Sequence, residues 1–124
     1  MKLIIGGAFQ GKLDYAKAAY GLTDADVFTC TGTNIDFSKK CIASISEFTY
    51  ACVLKNISPL EIFQKNRELW KDSILICQDI FCGVVPLGAD QRAWRRETGL
   101  LCQYLSREAE SVTRIFCGLE QKLK

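Results

Sequence analysis

The residues best suited to chemistry form a glycine-rich loop near the N-terminus. Residues 6 to 13 are Gly6-Gly7-Ala8-Phe9-Gln10-Gly11-Lys12-Leu13, which fits the pattern G-x-x-x-x-G-K of phosphate-binding loops. Glycines let backbone N–H groups turn towards an anion, and the lysine ammonium reaches the outer phosphates. Because a buried strand is predicted before this loop and a helix after it, the sequence predicts nucleotide binding here. The alternative is a glycine turn followed by one solvated lysine.

Leu13 departs from the phosphate-loop pattern, which has Ser or Thr at this position. The missing hydroxyl normally binds Mg²⁺, which neutralises charge as the phosphoryl group moves. Leucine cannot ligate a metal, so a Mg²⁺ cofactor is placed in doubt and no metal site is predicted. Since the backbone cradle and Lys12 do not depend on that hydroxyl, binding and catalysis are separate questions.

Two further residues are candidates for contact with a nucleotide. Asp79 follows a predicted strand on the side where open α/β sheets bind ligands; it could hold a metal through water, polarise a substrate hydroxyl or cap a turn. Thr31 follows the second strand and could donate to a phosphate or end the strand. Lys12 and Asp79 are therefore the candidate catalytic residues, and residues 6 to 13 with Thr31 are the candidate nucleotide ligands.

Composition excludes several other kinds of site. The 124 residues include no histidine, which excludes Ser-His-Asp and Cys-His nucleophile systems and imidazole ligation of zinc. The seven cysteines form no C-x-x-C pair, and we interpret them as buried small residues in a reducing compartment. A net charge of +2 predicts no nucleic-acid partner. No apolar run approaches the roughly 20 residues that span a bilayer, so we expect a cytoplasmic protein without a membrane partner.

The elements that must position the loop alternate between β and α patterns. Strands are predicted over residues 2–5, 27–30, 50–54, 73–77 and 112–117. Helices are predicted over residues 12–20, about 35–48, 59–70 and 91–109, with a loop over 83–88 and a small hairpin at the C-terminus. Ser58-Pro59-Leu60-Glu61 is the clearest helix start, with a Ser cap and Pro at the first position. Strands separated by helices predict a parallel sheet in one α/β domain over residues 1–124.

Several short motifs follow the loop in a fixed order. Residues 78–86, Gln-Asp-Ile-Phe-Cys-Gly-Val-Val-Pro, are similar to the pattern N-E-V-G-x-G-[IV]-V-P. Two further matches to patterns of the same family lie in the next segment: Arg92-Ala93-Trp94-Arg95 is similar to R-x-[FY]-R, and Gly99 with Gln103 is similar to G-x-x-N-Q. The sequence ends in Lys122-Leu123-Lys124, which is similar to K-[IL]-K. Over about residues 1–32 and 73–124, the chain therefore resembles the adenosylcobinamide kinase / adenosylcobinamide-phosphate guanylyltransferase family of cobalamin biosynthesis.

This resemblance implies a fold and two linked activities. The fold is a RecA-like P-loop NTPase domain with three layers around a parallel sheet, assembled as a homo-oligomer, often a homotrimer. The activities are phosphorylation of the corrinoid adenosylcobinamide by ATP or GTP, and GMP transfer onto that phosphate through a guanylylated histidine. Because the chain has no histidine, the guanylyl transfer is not expected.

Other departures leave the activity open. With the middle strand placed at residues 50–54, Lys55 falls where the family has an acidic residue, and a cation there could not hold Mg²⁺. Gln10 replaces a Ser and Cys102 an Asn of the family. One alternative is a nucleotide-dependent kinase without guanylyl transfer. The other, which Leu13 and Lys55 favour, is a catalytically degenerate paralogue that binds nucleotide or corrinoid, or assembles with a full-length homologue, without turnover. A structural domain whose loop binds nothing is disfavoured by the resemblance.

Overall fold

The computed structural model describes residues 1–80 and 88–124, which form one sheet with helices on both faces. The strands are β1 (Lys2–Gly6), β2 (Val27–Thr29), β3 (Cys41–Ala43), β4 (Ile74–Gln78), β5 (Ser111–Phe116) and β6 (Leu119–Lys122). The helices are α1 (Lys12–Tyr20), α2 (Ile45–Leu54), α3 (Pro59–Lys65), α4 (Arg67–Trp70) and α5 (Ala89–Glu108), with a 3₁₀ turn at Asp24–Asp26.

The sheet has the order β2-β3-β4-β1-β5-β6. The first five of these strands run parallel, and β6 pairs antiparallel with β5. Ile4 of β1 lies between Ile76 of β4 and Thr113 of β5 in the register. The parallel strands therefore direct their carboxyl ends to one edge of the sheet, and the loop after β1 begins at the centre of that edge.

Alternate strand residues face opposite layers of helices, as the two-residue period of a strand requires. Leu3 and Leu75 pack in one cluster with α2, α3, α4 and α5, whereas Ile4 and Ile76 pack in a second cluster with α1. The described helix residues that are buried in the first cluster are Ile45, Phe48, Cys52, Phe63, Trp70, Leu101 and Leu105. Two buried faces explain why β1 and β4 are apolar at almost every position.

The segment from residue 35 to residue 54 differs from its prediction. The helix expected at about 35–48 is wrong: Cys41–Ala43 is a buried strand, paired on both sides with Val27 and Ile74. The strand expected at 50–54 is also wrong, because those residues form the second half of α2. The boundary is Ser44, whose φ of 59° turns the chain from strand into helix. Ile42 and Phe48 had suggested one helical face because β3 and α2 fill the same cluster.

The remaining predicted elements lie within a few residues of their expected bounds. Helix α1 spans the predicted residues, and the C-terminal hairpin is present as β5 and β6. The Ser58 hydroxyl accepts the Glu61 N–H at 3.3 Å, as a cap should, but the helix that it begins divides into α3 and α4 at Asn66. Apart from Gly88, the loop predicted at 83–88 lies outside the described residues, as does most of the 78–86 motif. Among the described helices, none is both long enough and apolar enough to cross a bilayer.

Candidate functional site

Gly6 holds the start of the loop tightly between the two neighbouring strands. The N–H of Asp79, just after β4, donates to the Gly6 carbonyl oxygen at 2.6 Å. A Cβ atom at Gly6 would lie 2.6 Å from the carbonyl oxygen of Ile115 in β5. Only glycine fits there, so the loop leaves the sheet at a position fixed by both β4 and β5.

The sign of φ alternates along the loop from Phe9 to Lys12. Phe9 has φ 59° and Gly11 has φ 87°, whereas Gln10 between them and Lys12 at the start of α1 have negative φ. Successive residues of alternating hand direct their N–H groups into one concavity, a nest, which binds anions. Gly11 takes the left-handed conformation without strain. The φ pattern typical of a nest therefore lies within the residues where the sequence predicts the phosphate site.

Lys12 reaches back across this nest. Its Nζ atom donates to the Gly7 carbonyl oxygen at 2.6 Å. Burial lowers the pKa of the Lys12 ammonium, and the negative charges that Cys77 and Asp79 can carry oppose that effect. The Lys12 ammonium is therefore held against the loop by a neutral carbonyl oxygen. A charged phosphate oxygen at the same place would accept a stronger hydrogen bond from it.

The C-terminal hairpin supports the loop from the other side. The Gln10 carbonyl oxygen accepts the Gly118 N–H at 3.0 Å, and the Gln10 side-chain oxygen accepts the Cys117 N–H. Cys117 and Gly118 have φ of 52° and 76°, as the tight turns of two-residue hairpins require. Tyr15 donates to the Glu120 carboxylate at 2.5 Å, which raises the pKa of Tyr15 to about 12.

A cleft of about 460 Å³ opens beside the nest. Among the described residues, its walls are the loop and the start of α1, the ends of strands β2, β3 and β4, and the first turn of α2. The lining residues are Phe9, Gly11, Lys12, Leu13, Asp14, Thr29, Ala43, Ser44, Ser46, Glu47, Ile76 and Gln78. This volume is within the range of small-molecule sites, and the position at the carboxyl edge is where open α/β sheets bind their ligands.

Neither a scan against protein-family models nor a search of the curated proteins finds a match to this chain. The resemblance to the adenosylcobinamide kinase family therefore depends on the loop and the short motifs alone.

The structure brings some of the predicted residues together and leaves others at a distance from the cleft. Lys12, Leu13, Gly11 and Phe9 line it, and Gly6, Gly7, Ala8 and Gln10 complete the loop. Asp79 lies close enough to Lys12 to influence its pKa, and its backbone supports the loop. Thr31 is exposed, and the cleft lining includes Thr29 in place of it.

The placement of Lys55 at the metal-binding position is wrong. Lys55 is exposed at the C-terminal end of α2, where its N–H caps that helix. On the side away from β1, β4 pairs with β3, and the residue that follows β3 is Ser44. A serine, not a cation, therefore stands at the end of the middle strand, and one of the two arguments against metal-dependent chemistry falls. In residues 1–80 and 88–124, no three His, Cys, Asp or Glu side chains converge on a possible metal position.

Sequence reasoning missed the wall formed by Ser44, Ser46 and Glu47. Ser44 has a left-handed backbone, and Glu47 lies in the first turn of α2 with its N–H bonded to the Ser44 carbonyl oxygen at 2.9 Å. The available signal was the short apolar run Cys41-Ile42-Ala43 between two polar stretches. Interpreted as a buried strand, it places Ser44 at the sheet edge and Glu47 in the cleft.

Proposed function

We propose that this chain binds a nucleoside triphosphate, ATP or GTP, with its β- and γ-phosphates in the nest of residues 6 to 13. The observation that carries the proposal is the alternating backbone from Phe9 to Lys12, with the Lys12 ammonium lying across it. Several N–H groups and one ammonium then converge on the place where a polyphosphate needs donors. The positive end of α1 adds about 0.3–1 kcal/mol of attraction for an anion.

We further propose that the chain is a short, divergent relative of the adenosylcobinamide kinase family, with a corrinoid as its second ligand and a homo-oligomeric assembly. The support is the order of the motifs and a mostly parallel sheet with the loop at its centre. Binding without turnover is favoured because the apolar side chain of Leu13 lines the cleft where a metal-binding hydroxyl is needed. Guanylyl transfer through histidine is not part of the proposal.

A second candidate function, phosphoryl transfer to a hydroxyl, is favoured by Glu47. A carboxylate in a cleft built for phosphates is repelled by them unless a cation or a hydroxyl lies between. Glu47 could accept the proton of an acceptor hydroxyl as its oxygen attacks the γ-phosphorus. The bond from the γ-phosphorus to the bridging oxygen then breaks, and the nucleoside diphosphate leaves on the opposite side. The structure thus offers a base but no hydroxyl for a metal at position 13.

Nucleotide binding is tested by ligand-induced stabilisation in thermal unfolding. ATP or GTP at a hundredfold excess over Kd should raise the free energy of unfolding by about 2.7 kcal/mol, with or without Mg²⁺. Lys12→Ala should lose this gain, whereas Lys55→Ala, which removes an exposed lysine at the far end of α2, should keep it. Unfolding curves that neither nucleotide shifts, or equal stabilisation of Lys12→Ala, would contradict the proposal.

Turnover is tested separately with γ-labelled ATP and adenosylcobinamide. The binding-only function predicts no transfer of label by the native chain and a gain of transfer in Leu13→Ser/Ser44→Asp, which restores a hydroxyl and a carboxylate at the two metal positions. Aspartate tolerates the left-handed backbone of Ser44. Transfer by the native chain that Glu47→Gln abolishes would instead establish the kinase.

A further inference from the structure

Two cysteines meet directly behind the loop. Cys77 is the fourth residue of β4 and is fully buried, and Cys102 lies half-buried on α5. Their Sγ atoms are 3.7 Å apart. A disulfide bond of about 2.05 Å would need the sulfur atoms to approach by roughly 1.7 Å, so the two thiols are already neighbours in the reduced protein.

The two thiols differ in access and in acidity. Cys102 is half-buried and borders a second cavity of about 540 Å³, together with Gly99, Gln103, Ser106 and Arg107, whereas Cys77 is fully buried. Of the two thiols, Cys102 is therefore the one with a route from solvent for a small oxidant. The Cys102 Sγ lies in hydrogen-bonding contact with the Cys77 Sγ. The interaction with Cys77 lowers the pKa of Cys102 despite its burial, whereas the same interaction and burial raise the pKa of Cys77. Asp79 opposes ionisation of both, and Lys12 favours that of Cys77.

The other described cysteines lack this combination. Burial raises the pKa of Cys30 to about 12 and that of Cys41 and Cys52 to about 11. Thiols are reactive as thiolates, so these three behave as small apolar residues. Cys117 is exposed in the turn of the hairpin.

We propose that Cys77 and Cys102 are a site of reversible oxidation by a hydroperoxide. The Cys102 thiolate attacks one peroxide oxygen, the O–O bond breaks, and the departing hydroxide takes up a proton to become water, which leaves a sulfenic acid. The Cys77 sulfur then attacks the sulfenic sulfur, the S–O bond breaks, and the hydroxyl leaves as water with the Cys77 proton. The two thiols lose two electrons in total, and hydrogen peroxide is reduced to two water molecules.

The position of Cys77 links this oxidation to the loop, a consequence that rests on the proposed nucleotide binding. Cys77 pairs with Ile5 in the register of β1 and β4, one residue before Gly6. The next residue, Gln78, lines the cleft, and the N–H of Asp79 holds the Gly6 carbonyl. Drawing Cys77 towards α5 displaces the end of β4 that supports the nest, so the disulfide form binds ATP more weakly.

The disulfide is tested in a variant that carries Cys82→Ser and Cys117→Ser. These changes remove a thiol outside the described residues and the exposed thiol of the hairpin turn, respectively, so that neither contributes to the thiol count. After treatment with hydrogen peroxide, we expect the loss of two free thiols, an intact mass lower by two hydrogen atoms, and a cross-linked peptide pair containing Cys77 and Cys102. Dithiothreitol should reverse all three. Cys102→Ser should abolish the cross-link, and the matched variant Cys41→Ser should retain it. Oxidation to sulfinic acid without a cross-link, or a cross-link between other cysteines, overturns the proposal.

The link to the loop has its own readout. The reduced protein should bind ATP about tenfold more tightly than the disulfide form, and dithiothreitol should restore the affinity. If the cross-link forms but leaves ATP affinity unchanged, the oxidation site stands and its control of the loop is wrong. If the reduced protein does not bind ATP, the proposed function fails, while the mass and peptide results still decide the oxidation site.

Discussion

Phe9 combines a strained backbone with a side chain that is fully exposed. Its φ is 59°, and its side chain is as exposed as in an extended peptide, at 104%. A left-handed conformation costs a non-glycine residue about 1–2 kcal/mol, and no burial offsets that cost. Strain of this kind concentrates at binding sites, and here it directs one N–H group of the nest.

Two replacements of Phe9 should separate the free-energy cost of its left-handed backbone from any effect of its side chain on stability. Phe9→Gly should raise the free energy of unfolding by about 0.5–1 kcal/mol, because glycine adopts this φ freely but loses more entropy on folding. Phe9→Ala is the matched control, since it removes the ring and keeps the strain, and should change stability little. Urea unfolding measures both, and an equal gain in Phe9→Ala would assign the effect to the exposed ring.

Gly6 should be the glycine that tolerates replacement least. Gly6→Ala places a methyl group 2.6 Å from the Ile115 carbonyl oxygen, a backbone atom held in the sheet by pairing with β1. We expect a loss of about 1–3 kcal/mol in the free energy of unfolding. Gly7→Ala meets only the Gln10 side chain, at 3.6 Å, and should cost far less. Similar losses for the two variants in urea unfolding would show that Gly6 is not confined as described.

At the scale of elements, the β5–β6 hairpin acts as a support for the loop. Gln10 had counted only as a departure from the family pattern, because its partners lie more than 100 residues away in the chain. The structure gives it two hydrogen bonds to the turn of the hairpin. Because long-range contacts of this kind leave no local signal in the sequence, Gln10 is interpreted there only as a departure from the family's Ser. In the structure, Gln10 supports the loop.

Gln10→Ser, which restores the family's residue, should therefore weaken the loop. Serine is too short to keep the side-chain bond to the Cys117 N–H, so we expect that amide to exchange its hydrogen faster and the protein to lose about 0.5–1.5 kcal/mol. Gln121→Ser, in the exposed strand β6, is the control and should leave Cys117 unaffected. Unchanged exchange in Gln10→Ser would mean that β5 and β6 hold the turn without the loop.

Elements with a local signal could be predicted from the sequence, and those defined by tertiary contacts could not. The cap at Ser58 and the small hairpin at the C-terminus follow from local chemistry, and both are confirmed. Strand β3 has three buried residues, too few to show a period, and it exists because β2 and β4 pair with it. The misplaced strand at 50–54 then produced the misplaced Lys55.

For the whole molecule, the alternation of strands and helices predicted a parallel sheet but not the order of its strands. Only the placement of β1 between β4 and β5 shows why Gly6 must be glycine and why Asp79 lies near Lys12. The loop half of the cleft could be predicted from its motif. The half formed by Ser44 and Glu47 depends on the pairing of β3 with β4, and the three apolar residues of β3 are the one local signal for it.

The electrostatics of the assembled site predict how nucleotide binding depends on pH. Burial lowers the pKa of Lys12 from the ordinary 10.5, and bound phosphates would raise it again. At a pH between the pKa of Lys12 in the free protein and its pKa in the complex, nucleotide binding takes up a proton. The affinity for nucleotide should therefore fall as the pH rises above the lowered pKa of the free protein. It should level off once the pH exceeds the pKa of Lys12 in the complex. At lower pH, Lys12 is charged in both states and contributes no pH dependence.

Lys12→Arg is the control for this pH dependence, because a guanidinium stays protonated throughout the range. Calorimetric titration with ATP in buffers of different ionisation enthalpy measures both the affinity and the proton uptake. The native chain should take up a proton on binding as pH approaches 10.5, and Lys12→Arg, if it binds, should take up none. Equal proton uptake in the two proteins would show that the titrating group is a residue other than Lys12. The proposed contact between the Lys12 ammonium and the phosphates would then be wrong.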